Sequence, residues 1–304
     1  MNQWDVIIIG AGPAGLSAAL MLGRSRRRVL VIDSDQGRNR FASHMQAVLG
    51  HDGKSPAQLR AEGRAEAERY GVVFRGGAVE QVSRDRDTVR VRTAGTDIVA
   101  RSLILATGVR DDLPAIPGLA ERWGKTVLHC PFCHGWEVRD RRLAVLATSA
   151  MSTHQAEMVS GLSERVTYLA AGLGVDALAR RRLEACGIRI VDEAVEAIEG
   201  AGEDIGGVRL AGGELVAVDA IFTGGTLVPR DEVLAGLGLA RSASPVGSFL
   251  AVDPAGRTSD ERIWAVGNVV APMANVPMSM GAGAMTGAAV QGALIGWEID
   301  ALTR

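Results

Sequence analysis

The chain has 304 residues, of which 47% are hydrophobic and 22% charged, a balance typical of a globular protein with a sizeable core. Its 33 Lys and Arg residues nearly offset 35 Asp and Glu, so no net charge favours nucleic acid or anionic lipid as a partner. The densest basic run, RSRRR at 24–28, falls where a first helix should end, and we interpret it as a solvated helix terminus.

The first residues, MNQWDVIIIG, lack the charged, apolar and cleavage regions of a signal peptide, which predicts a cytoplasmic location. In such a reducing compartment a C-x-x-C pair is more typical of catalysis or metal binding than of a structural disulfide. One segment, 269–297, has no charged residue and is long enough to span a bilayer. Its prolines, glycines and polar residues favour instead a helix packed against a cofactor, and we predict no membrane partner.

Apolar runs bounded by turns predict a first βαβ unit. Residues 5–10 (DVIIIG) predict a buried parallel strand, AGPAGLSAALMLGRS a helix, and 28–33 (RVLVID) a second strand. A helix is predicted over 56–70, an antiparallel ribbon over 78–92 and another buried strand over 102–108 (SLILATG).

The linker VRDDLPAIPGLAERWG, marked by its prolines and glycine, separates this unit from a second βαβ pattern. The second pattern begins with a strand at 142–147 and continues with a helix to Gly161, a strand at 165–171 and a helix near 175–186. The run AIFTGG, at 220–225, resembles the LILATG that closes the first unit.

After a second loose stretch, ARSASPVGS, the last segment returns to the first domain. The predicted fold is α/β, with two Rossmann-like three-layer domains, the second inserted into the first. We assign 1–112 and 247–304 to one domain and 116–243 to the insert.

The sequence GAGPAG places Gly10, Gly12 and Gly15 in G-x-G-x-x-G spacing between a predicted strand and a predicted helix. These glycines permit a tight turn, close approach of backbone to a pyrophosphate, and close helix–strand packing. The helix N-terminus offers N–H groups to the phosphates. Asp33 ends the next strand, where a ribose hydroxyl is bound. The context predicts a dinucleotide site, which this pattern alone does not assign to FAD or NAD.

In HCPFCHGWE, Cys130 and Cys133 stand two residues apart between His129 and His134. The pattern is compatible with a redox dithiol, half of a zinc site, or haem attachment. Haem attachment through C-x-x-C-H normally needs export, and structural zinc normally needs a second ligand pair at a distance. The remaining cysteine, Cys186, is expected to be a buried helix-end residue. We therefore predict no metal and interpret the pair as a redox dithiol.

The motifs GAGPAG, LILATGVRDDLPAIPG and IWAVGNVVAP occur in this order, and over essentially its whole length the chain resembles the low-molecular-weight thioredoxin reductase family of flavoproteins. The resemblance implies a homodimer, FAD in the first domain, NADPH in the insert, and electron exchange between a C-x-x-C and the flavin. The residues expected to bind FAD are Gly10, Gly12, Pro13, Ala14, Gly15, Asp33, Ser34, Asn39, Val79, Ala106, Thr107, Gly108, Gly267, Asn268 and Val276.

Asn268 stands where that family has an aspartate, directly after Gly267. Asparagine still offers a carbonyl oxygen to a ribityl hydroxyl, without a negative charge. FAD remains the expected cofactor.

The insert departs from a reductase at the turn where the family binds NADPH. This chain has LATSAMSTHQA there, with Ala147, Thr148 and Ser149 at the positions of three glycines. Each added Cβ restricts the turn and holds the backbone away from a phosphate. The stretch TYLAAGLG also lacks the basic cluster that binds a 2′-phosphate. An unusual NAD(P)H site is the alternative interpretation.

The segment CPFCHGWE resembles the gliotoxin- and holomycin-type dithiol oxidases, and His134 stands where a reductase has an acidic proton donor. This resemblance implies that electrons pass from a small-molecule dithiol through the cysteine pair and FAD to O₂, releasing H₂O₂. Cys130 would meet the substrate and Cys133 the flavin. His134, and as a second candidate His129, would accept protons from substrate thiols.

Two other functions are weighed against the oxidase. One is an NAD(P)H-dependent disulfide reductase acting on a protein such as thioredoxin. The other is a flavin- or redox-sensing regulator, which the absence of an added nucleic-acid module makes less favoured. We predict a small-molecule dithiol and O₂ as partners, and no nucleic acid.

Overall fold

The computed structural model describes residues 3–304, and these form two compact units. Unit 1 comprises the described residues up to Arg40 together with Pro56–Arg110 and Leu227–Arg304. Unit 2 comprises Phe41–Ser55 and Asp111–Thr226. The predicted domain limits state which segments bind FAD and which segment carries the dithiol. The packing of the chain does not test these roles, so the limits stay a prediction.

The strands, in chain order, are β1 (Trp4–Ile9), β2 (Val29–Asp33), β3 (Val73–Gly76), β4 (Gln81–Arg84), β5 (Val89–Thr93), β6 (Thr96–Leu105), β7 (Val109–Asp112), β8 (Val127–Leu128), β9 (Leu143–Leu146), β10 (Val166–Leu169), β11 (Arg189–Val191), β12 (Val195–Glu199), β13 (Gly207–Leu210), β14 (Leu215–Val216), β15 (Ala220–Phe222), β16 (Thr226–Pro229), β17 (Arg241–Ser244), β18 (Gly247–Leu250) and β19 (Ile263–Ala265).

The helices are α1 (Pro13–Arg24), α2 (Pro56–Glu68), α3 (Pro131–His134), α4 (Met151–Ser160), α5 (Ala177–Ala185) and α6 (Val276–Leu302). Short 3₁₀ turns cover Ala120–Arg122, Glu232–Leu237 and Gly267–Val269.

Unit 1 is built on a sheet of order β3-β2-β1-β6-β5-β4, with β19 also paired to β6. Strands β1, β2, β3, β6 and β19 run parallel, and Ile7 lies opposite Leu30 on one side and Leu103 on the other. All three of these side chains are fully buried. The apolar run DVIIIG forms a strand because both faces of this sheet are covered. The predicted ribbon is the antiparallel pair β4–β5, which β6 extends.

Helix α6 packs on α1 through small residues. A Cβ at Gly283 would collide with the Ala14 carbonyl oxygen, and one at Gly287 would lie 2.9 Å from the Ala18 carbonyl oxygen. Only glycine permits this approach, which explains the small, uncharged residues of the segment. Within residues 3–304 no helix combines the length and apolar character needed to cross a membrane.

Unit 2 contains a parallel sheet of order β11-β10-β9-β15-β8 and a three-stranded antiparallel sheet, β12-β13-β14. In the parallel sheet Val145 lies between Tyr168 and Phe222, and all three are buried. Helix α4 follows β9 and α5 follows β10, which is the second βαβ pattern. The two parallel sheets with their crossover helices confirm the predicted α/β class.

Candidate functional site

The first turn between strand and helix, residues 10–15, requires its glycines for different reasons. Gly10 has φ +104°, and a Cβ there would lie 2.5 Å from the Ala106 carbonyl oxygen. A Cβ on Gly15 would collide with the Gly10 carbonyl oxygen. Gly12 differs, because a Cβ on it would meet no atom within 4 Å. The turn is therefore tight against the sheet and open at Gly12, as close approach of a pyrophosphate demands.

Donors for such an anion are present at the start of α1. Gly12 is the N-cap and offers no side chain to the helix, and Pro13 has no N–H. The first intrahelical donor is Leu16, whose N–H bonds the Gly12 carbonyl at 2.9 Å. The preceding N–H groups of Ala14 and Gly15 face the helix end, where an anion is favoured.

Asp33 stabilises the same turn from the end of β2. Its Oδ1 accepts the Ala11 N–H at 3.0 Å. A carboxylate has further acceptor capacity, which suits the predicted hydrogen bond to a ribose hydroxyl. The turn, the helix end and this carboxylate together fit the ADP half of FAD.

The ATG turn, Ala106 to Gly108, is fixed by Arg230. The Thr107 hydroxyl donates to the Arg230 carbonyl at 2.6 Å, and the Arg230 N–H donates to the Gly108 carbonyl at 3.0 Å. The turn comes beside the glycine motif because Ala106 contacts Gly10 and Gly15.

Asn268 has a defined orientation. Its Nδ2 lies 2.8 Å from the Ala274 carbonyl oxygen and 3.1 Å from the carbonyl oxygens of Ala271 and Pro272. Only the amide nitrogen can donate to carbonyls, so Oδ1 is left as the acceptor. A carboxylate in its place would repel three carbonyl oxygens. The loop is therefore built for asparagine, with the carbonyl oxygen available to a flavin hydroxyl.

The structure brings a subset of the predicted flavin residues together. Gly267, at φ +79°, packs against Ala14, since a Cβ there would lie 2.9 Å from the Ala14 Cβ. The others lie in unit 1 without a contact that tests their role: Ser34 is exposed, Asn39 and Val79 are half-buried, and Val276 is the first residue of α6. The roles of these residues stay predictions.

The dithiol segment in unit 2 forms a single helical turn. Cys130 is the N-cap of α3 with extended backbone, and the N–H groups of Cys133 and His134 both donate to its carbonyl at 3.2 Å. Pro131 suits the first helical position because its ring fixes φ. The cysteines form a disulfide with their Cα atoms 5.3 Å apart, and both are half-buried. The pair is thus placed as an electron acceptor for an incoming thiolate.

His134 ends this turn and is half-buried. Burial lowers the pKa of His134 below its ordinary value of 6.5, and the nearby Glu137 carboxylate offsets part of that effect. The lowered pKa favours the neutral imidazole, which is able to accept a proton.

His129 is held by the sheet. Its Nδ1 lies 3.3 Å from the Thr223 carbonyl oxygen, and because a carbonyl only accepts, Nδ1 carries the proton. The His129 carbonyl accepts the Gln155 side-chain amide at 2.7 Å, which fixes the residue before Cys130. Sequence analysis missed Gln155, although it stands in the LATSAMSTHQA stretch.

Two aromatic side chains flank the disulfide at the surface. Phe132 is 76% exposed and Trp136 is 69% exposed. The Arg139 guanidinium lies 3.9 Å from the centre of the Trp136 ring and donates to the Trp136 carbonyl at 2.6 Å. Stacking of this kind immobilises an exposed ring. The result is an apolar surface beside the dithiol.

The N–H groups of the second turn, after β9, already have acceptors within the protein. The Ser152 hydroxyl accepts the Thr148 N–H at 3.0 Å and the Ser149 N–H at 3.3 Å. Ser149 in turn accepts the Met151 N–H through its hydroxyl at 3.3 Å. Ser152 is only 4% exposed, whereas Ser149 and Ala150 are exposed, so a buried hydroxyl holds a turn that lies at the surface. The missing glycines of this turn are visible in the sequence. The hydrogen bonds from its N–H groups to the Ser152 hydroxyl are visible only in the structure.

The expectation that Cys186 is buried is wrong. Cys186 is the C-cap of α5 and is exposed, because α5 buries only Leu183 and its other residues face solvent or the surface layer. Among residues 3–304 no group of three or more His, Cys, Asp or Glu side chains is arranged to hold a metal ion.

Comparison with known proteins agrees with this architecture. The pyridine nucleotide-disulphide oxidoreductase family matches residues 4–287. Thioredoxin reductase tcpT of Claviceps purpurea is 34% identical, over 94% of this chain and 92% of its own length. Thioredoxin reductase sirT of Leptosphaeria maculans is 30% identical, over 99% and 97%. The crystal structure of HlmI has a TM-score of 0.95 and 40% identity, over 99% of this chain and 96% of that one.

These matches confirm the resemblance and the fold inferred from the sequence. The chain belongs to the pyridine nucleotide-disulphide oxidoreductase family and is a thioredoxin reductase-like thiol/disulfide oxidoreductase.

Proposed function

We propose that the protein is an FAD-dependent dithiol oxidase, which forms a disulfide in a small-molecule natural-product dithiol with O₂ as the final acceptor. The observation that carries the proposal is the occupied second turn. The N–H groups of Met151 and Ser152, which match the donors Ala14 and Gly15 of the first turn, already bond the hydroxyl and the carbonyl of Ser149 at 3.3 Å and 3.0 Å. The Ser152 hydroxyl accepts the N–H groups of Thr148 and Ser149. An enzyme without a nicotinamide donor receives its electrons from the thiol substrate.

The cysteine chemistry balances in that direction. A substrate thiolate attacks the Cys130 sulfur, forming a mixed disulfide and releasing Cys133 as thiolate. The second substrate thiolate attacks the substrate sulfur of the mixed disulfide, which closes the product disulfide and releases Cys130. The substrate has lost two electrons and two protons, and the enzyme holds a dithiol. Bound FAD supplies the two-electron acceptor that restores the Cys130–Cys133 disulfide and is reoxidised by O₂ to give H₂O₂.

His134 accepts the thiol protons in this scheme. Attack requires a thiolate, and an ordinary thiol with a pKa of about 8.5 is mostly protonated at pH 7. A neutral imidazole whose pKa is lowered by burial is available as base across the neutral range. His129, directly before Cys130, is the second candidate.

The apolar surface beside the disulfide supports a small, apolar substrate. Phe132 and the immobilised Trp136 offer ring faces to a flat dithiol scaffold. Side chains of this kind supply contact area at a low cost in conformational entropy.

Anaerobic flavin reduction tests the proposal. The purified flavoprotein is mixed in separate samples with dithiothreitol, NADPH or NADH, the flavin absorbance band is followed, and air is then admitted. We expect dithiothreitol alone to bleach the flavin, and air to restore it with one H₂O₂ per dithiol oxidised.

The three cysteines provide the matched controls. Cys130→Ser and Cys133→Ser should abolish bleaching by the dithiol, whereas Cys186→Ser should not change it, because Cys186 is exposed on a different helix. Rapid bleaching by NADPH, with none by the dithiol, would reject the oxidase and establish a reductase, as the relatives' names say of them.

We also propose a homodimer. Ile295, Ile299 and Leu302 recur along one face of α6 and are 42%, 55% and 87% exposed. Light scattering on a size-exclusion column should give twice the mass of the chain, and Ile299→Glu should reduce it to that of a monomer. A wild-type monomer would reject this assembly.

A further inference from the structure

The arginines of the RSRRR run line an open surface pocket in unit 1. This pocket has a volume of about 610 Å³ and is lined by Arg24, Arg26, Arg27, Arg28 and Arg69, together with Trp4 and Tyr70. Its size lies in the range of small-molecule sites. We define this as the arginine cavity. The sequence alone favoured a solvated helix terminus here, with no cavity.

The arginine cavity is separate from the dinucleotide site. Its walls come from the C-terminal end of α1, from residues at the start of β1 and before β2, and from the segment that runs from the end of α2 to the start of β3. The glycine turn lies at the other end of α1, which has 12 residues and so is about 18 Å long. A ligand in the cavity would leave the flavin position free.

The charge of the cavity is not neutralised by the protein. Arg27 is paired with Glu298 at 2.5 Å, and Glu298 also binds Arg101 at 2.5 Å. Asp5, the other nearby acid, accepts the Arg28 backbone N–H at 2.9 Å. For the guanidinium groups of the other four arginines, residues 3–304 provide no carboxylate within ion-pair distance. Four cations thus surround one concave space.

Aromatic rings hold two of these arginines in place. The Arg24 guanidinium lies 5.0 Å from the centre of the Tyr70 ring, and it donates to the Tyr70 hydroxyl at 2.6 Å. Arg28 lies 5.5 Å from the centre of the Trp4 ring. Because Tyr70 accepts from Arg24, its own O–H stays available as a donor. Preorganised donors lose less entropy when a ligand binds.

Arg26 occupies a position where glycine is favoured. Helix α1 ends in a Schellman motif, with the Arg27 N–H bonded to the Leu22 carbonyl at 3.1 Å and the Arg26 N–H to the Gly23 carbonyl at 2.8 Å. Arg26 is the left-handed residue of this motif, with φ 60°. A side chain is strained there and glycine is not. Strained residues of this kind cluster at ligand clamps, which points to a use for the guanidinium.

We propose that the arginine cavity binds a polyphosphate anion, either inorganic or carried by a nucleotide. Guanidinium groups bind phosphate oxygens through charge-assisted, often bidentate hydrogen bonds. Four unpaired guanidiniums and a tyrosine hydroxyl spread around the space suit several linked phosphates better than one.

Calorimetric titration of the FAD-loaded protein with tripolyphosphate, ATP and monophosphate tests the proposal at constant ionic strength. The flavin-loaded protein is used because the phosphate position at Gly12 is then filled. We expect tripolyphosphate to bind at least tenfold more tightly than monophosphate. Equal affinities for ATP and tripolyphosphate would identify the phosphates as the recognised group, and tighter binding of ATP would identify a nucleotide.

The variants Arg26→Gly and Arg69→Gln should each weaken tripolyphosphate binding by roughly tenfold, as loss of a charge-assisted hydrogen bond predicts. Arg26→Gly also relieves the strained backbone, so its melting temperature should equal or exceed that of the wild type without ligand. Arg181→Gln, which removes an exposed charge in unit 2, is the control and should bind as the wild type does. Undiminished binding in both cavity variants, or no binding by the wild type, would overturn the proposal.

Discussion

Each unit has a turn that joins a strand to a helix, at residues 10–15 in unit 1 and at residues 147–152 in unit 2. The two turns share one local topology and differ in the groups that contact their backbone. In the first turn the position at Gly12 is open and no side chain caps α1. In the second turn the buried Ser152 hydroxyl accepts two backbone N–H groups. The N–H groups of Met151 and Ser152 bond the hydroxyl and the carbonyl of Ser149. Serine oxygens therefore accept the N–H groups that a phosphate accepts in a nucleotide-binding turn.

A turn that no longer binds a ligand still has backbone N–H groups that need hydrogen-bond acceptors. Buried N–H groups without partners are costly, so a turn that no longer meets a phosphate needs an internal acceptor. The replacement of glycines alone would leave the donors of the second turn unpaired. The serine hydroxyl satisfies them, and unit 2 keeps its βαβ fold.

Filling the first turn should have the largest effect. Gly12 has φ −71° and space for a side chain, so Gly12→Asp should fold. Its carboxylate would occupy the phosphate position and repel the pyrophosphate, and we expect the purified protein to contain no flavin and to have no activity. The ratio of flavin to protein absorbance measures this, with circular dichroism as the check on folding. The matched variant Ser149→Asp in the second turn should keep its flavin, and a yellow Gly12→Asp protein would contradict the assignment.

Removing the base should have the next largest effect, on the rate of dithiol oxidation. His134→Asn should lower kcat/KM for dithiol oxidation by about 10²-fold, the usual contribution of a general base. Since burial lowers the pKa of His134, the acid limb of the wild-type profile should have its midpoint below pH 6.5. The control is His154→Asn, which removes an exposed imidazole on α4. A full rate and an unchanged acid limb in His134→Asn would exclude it as the base.

The same pKa shift affects stability, and the sign follows from proton binding. Below pH 6.5 the unfolded chain binds the His134 proton more readily than the folded chain does. His134 therefore contributes stability that is complete above pH 6.5 and declines as the pH falls from there towards its folded pKa. The free energy of unfolding of His134→Asn should decline less over this window.

A third variant tests the flavin side of the comparison at Asn268. Asn268→Asp should lower the free energy of unfolding by about 1–3 kcal/mol, because a carboxylate would face three carbonyl oxygens without a proton to donate. The loss should shrink at acid pH, where the carboxyl is protonated. Urea unfolding at two pH values measures both. Asn275→Asp is the control, since aspartate is an equally good N-cap for α6.

Opening the second turn should have the smallest effect. Ser152→Ala leaves the Thr148 and Ser149 N–H groups without their acceptor and should cost about 1–2 kcal/mol of stability. We expect no flavin bleaching by NADPH in this variant, because three Cβ atoms still line the turn. Thr153→Ala, next along α4 and half-buried, should change the free energy of unfolding by less than about 0.5 kcal/mol. A neutral Ser152→Ala would show that the hydroxyl does not hold the turn.

The features that depend on the spacing of neighbouring residues could be predicted from the sequence. Buried strands appear as apolar runs, the glycine motif as three residues between a strand and a helix, and the dithiol as two cysteines two residues apart. The positions of β1, α1 and β2 follow from these patterns because each is set by neighbouring residues.

The hydrogen-bond partners and the burial of each side chain depend on the tertiary structure. The direction of the Ser152 hydroxyl, the three carbonyls around Asn268 and the burial that lowers the His134 pKa all depend on packing, as does the exposure of Cys186. The arginine cavity joins residues near 4, 24–28 and 69–73, which are brought together by the order of the parallel strands. A pattern of residue types predicts the secondary structure of the backbone. The burial of a side chain and its hydrogen-bond partners are set by residues that are distant in the chain.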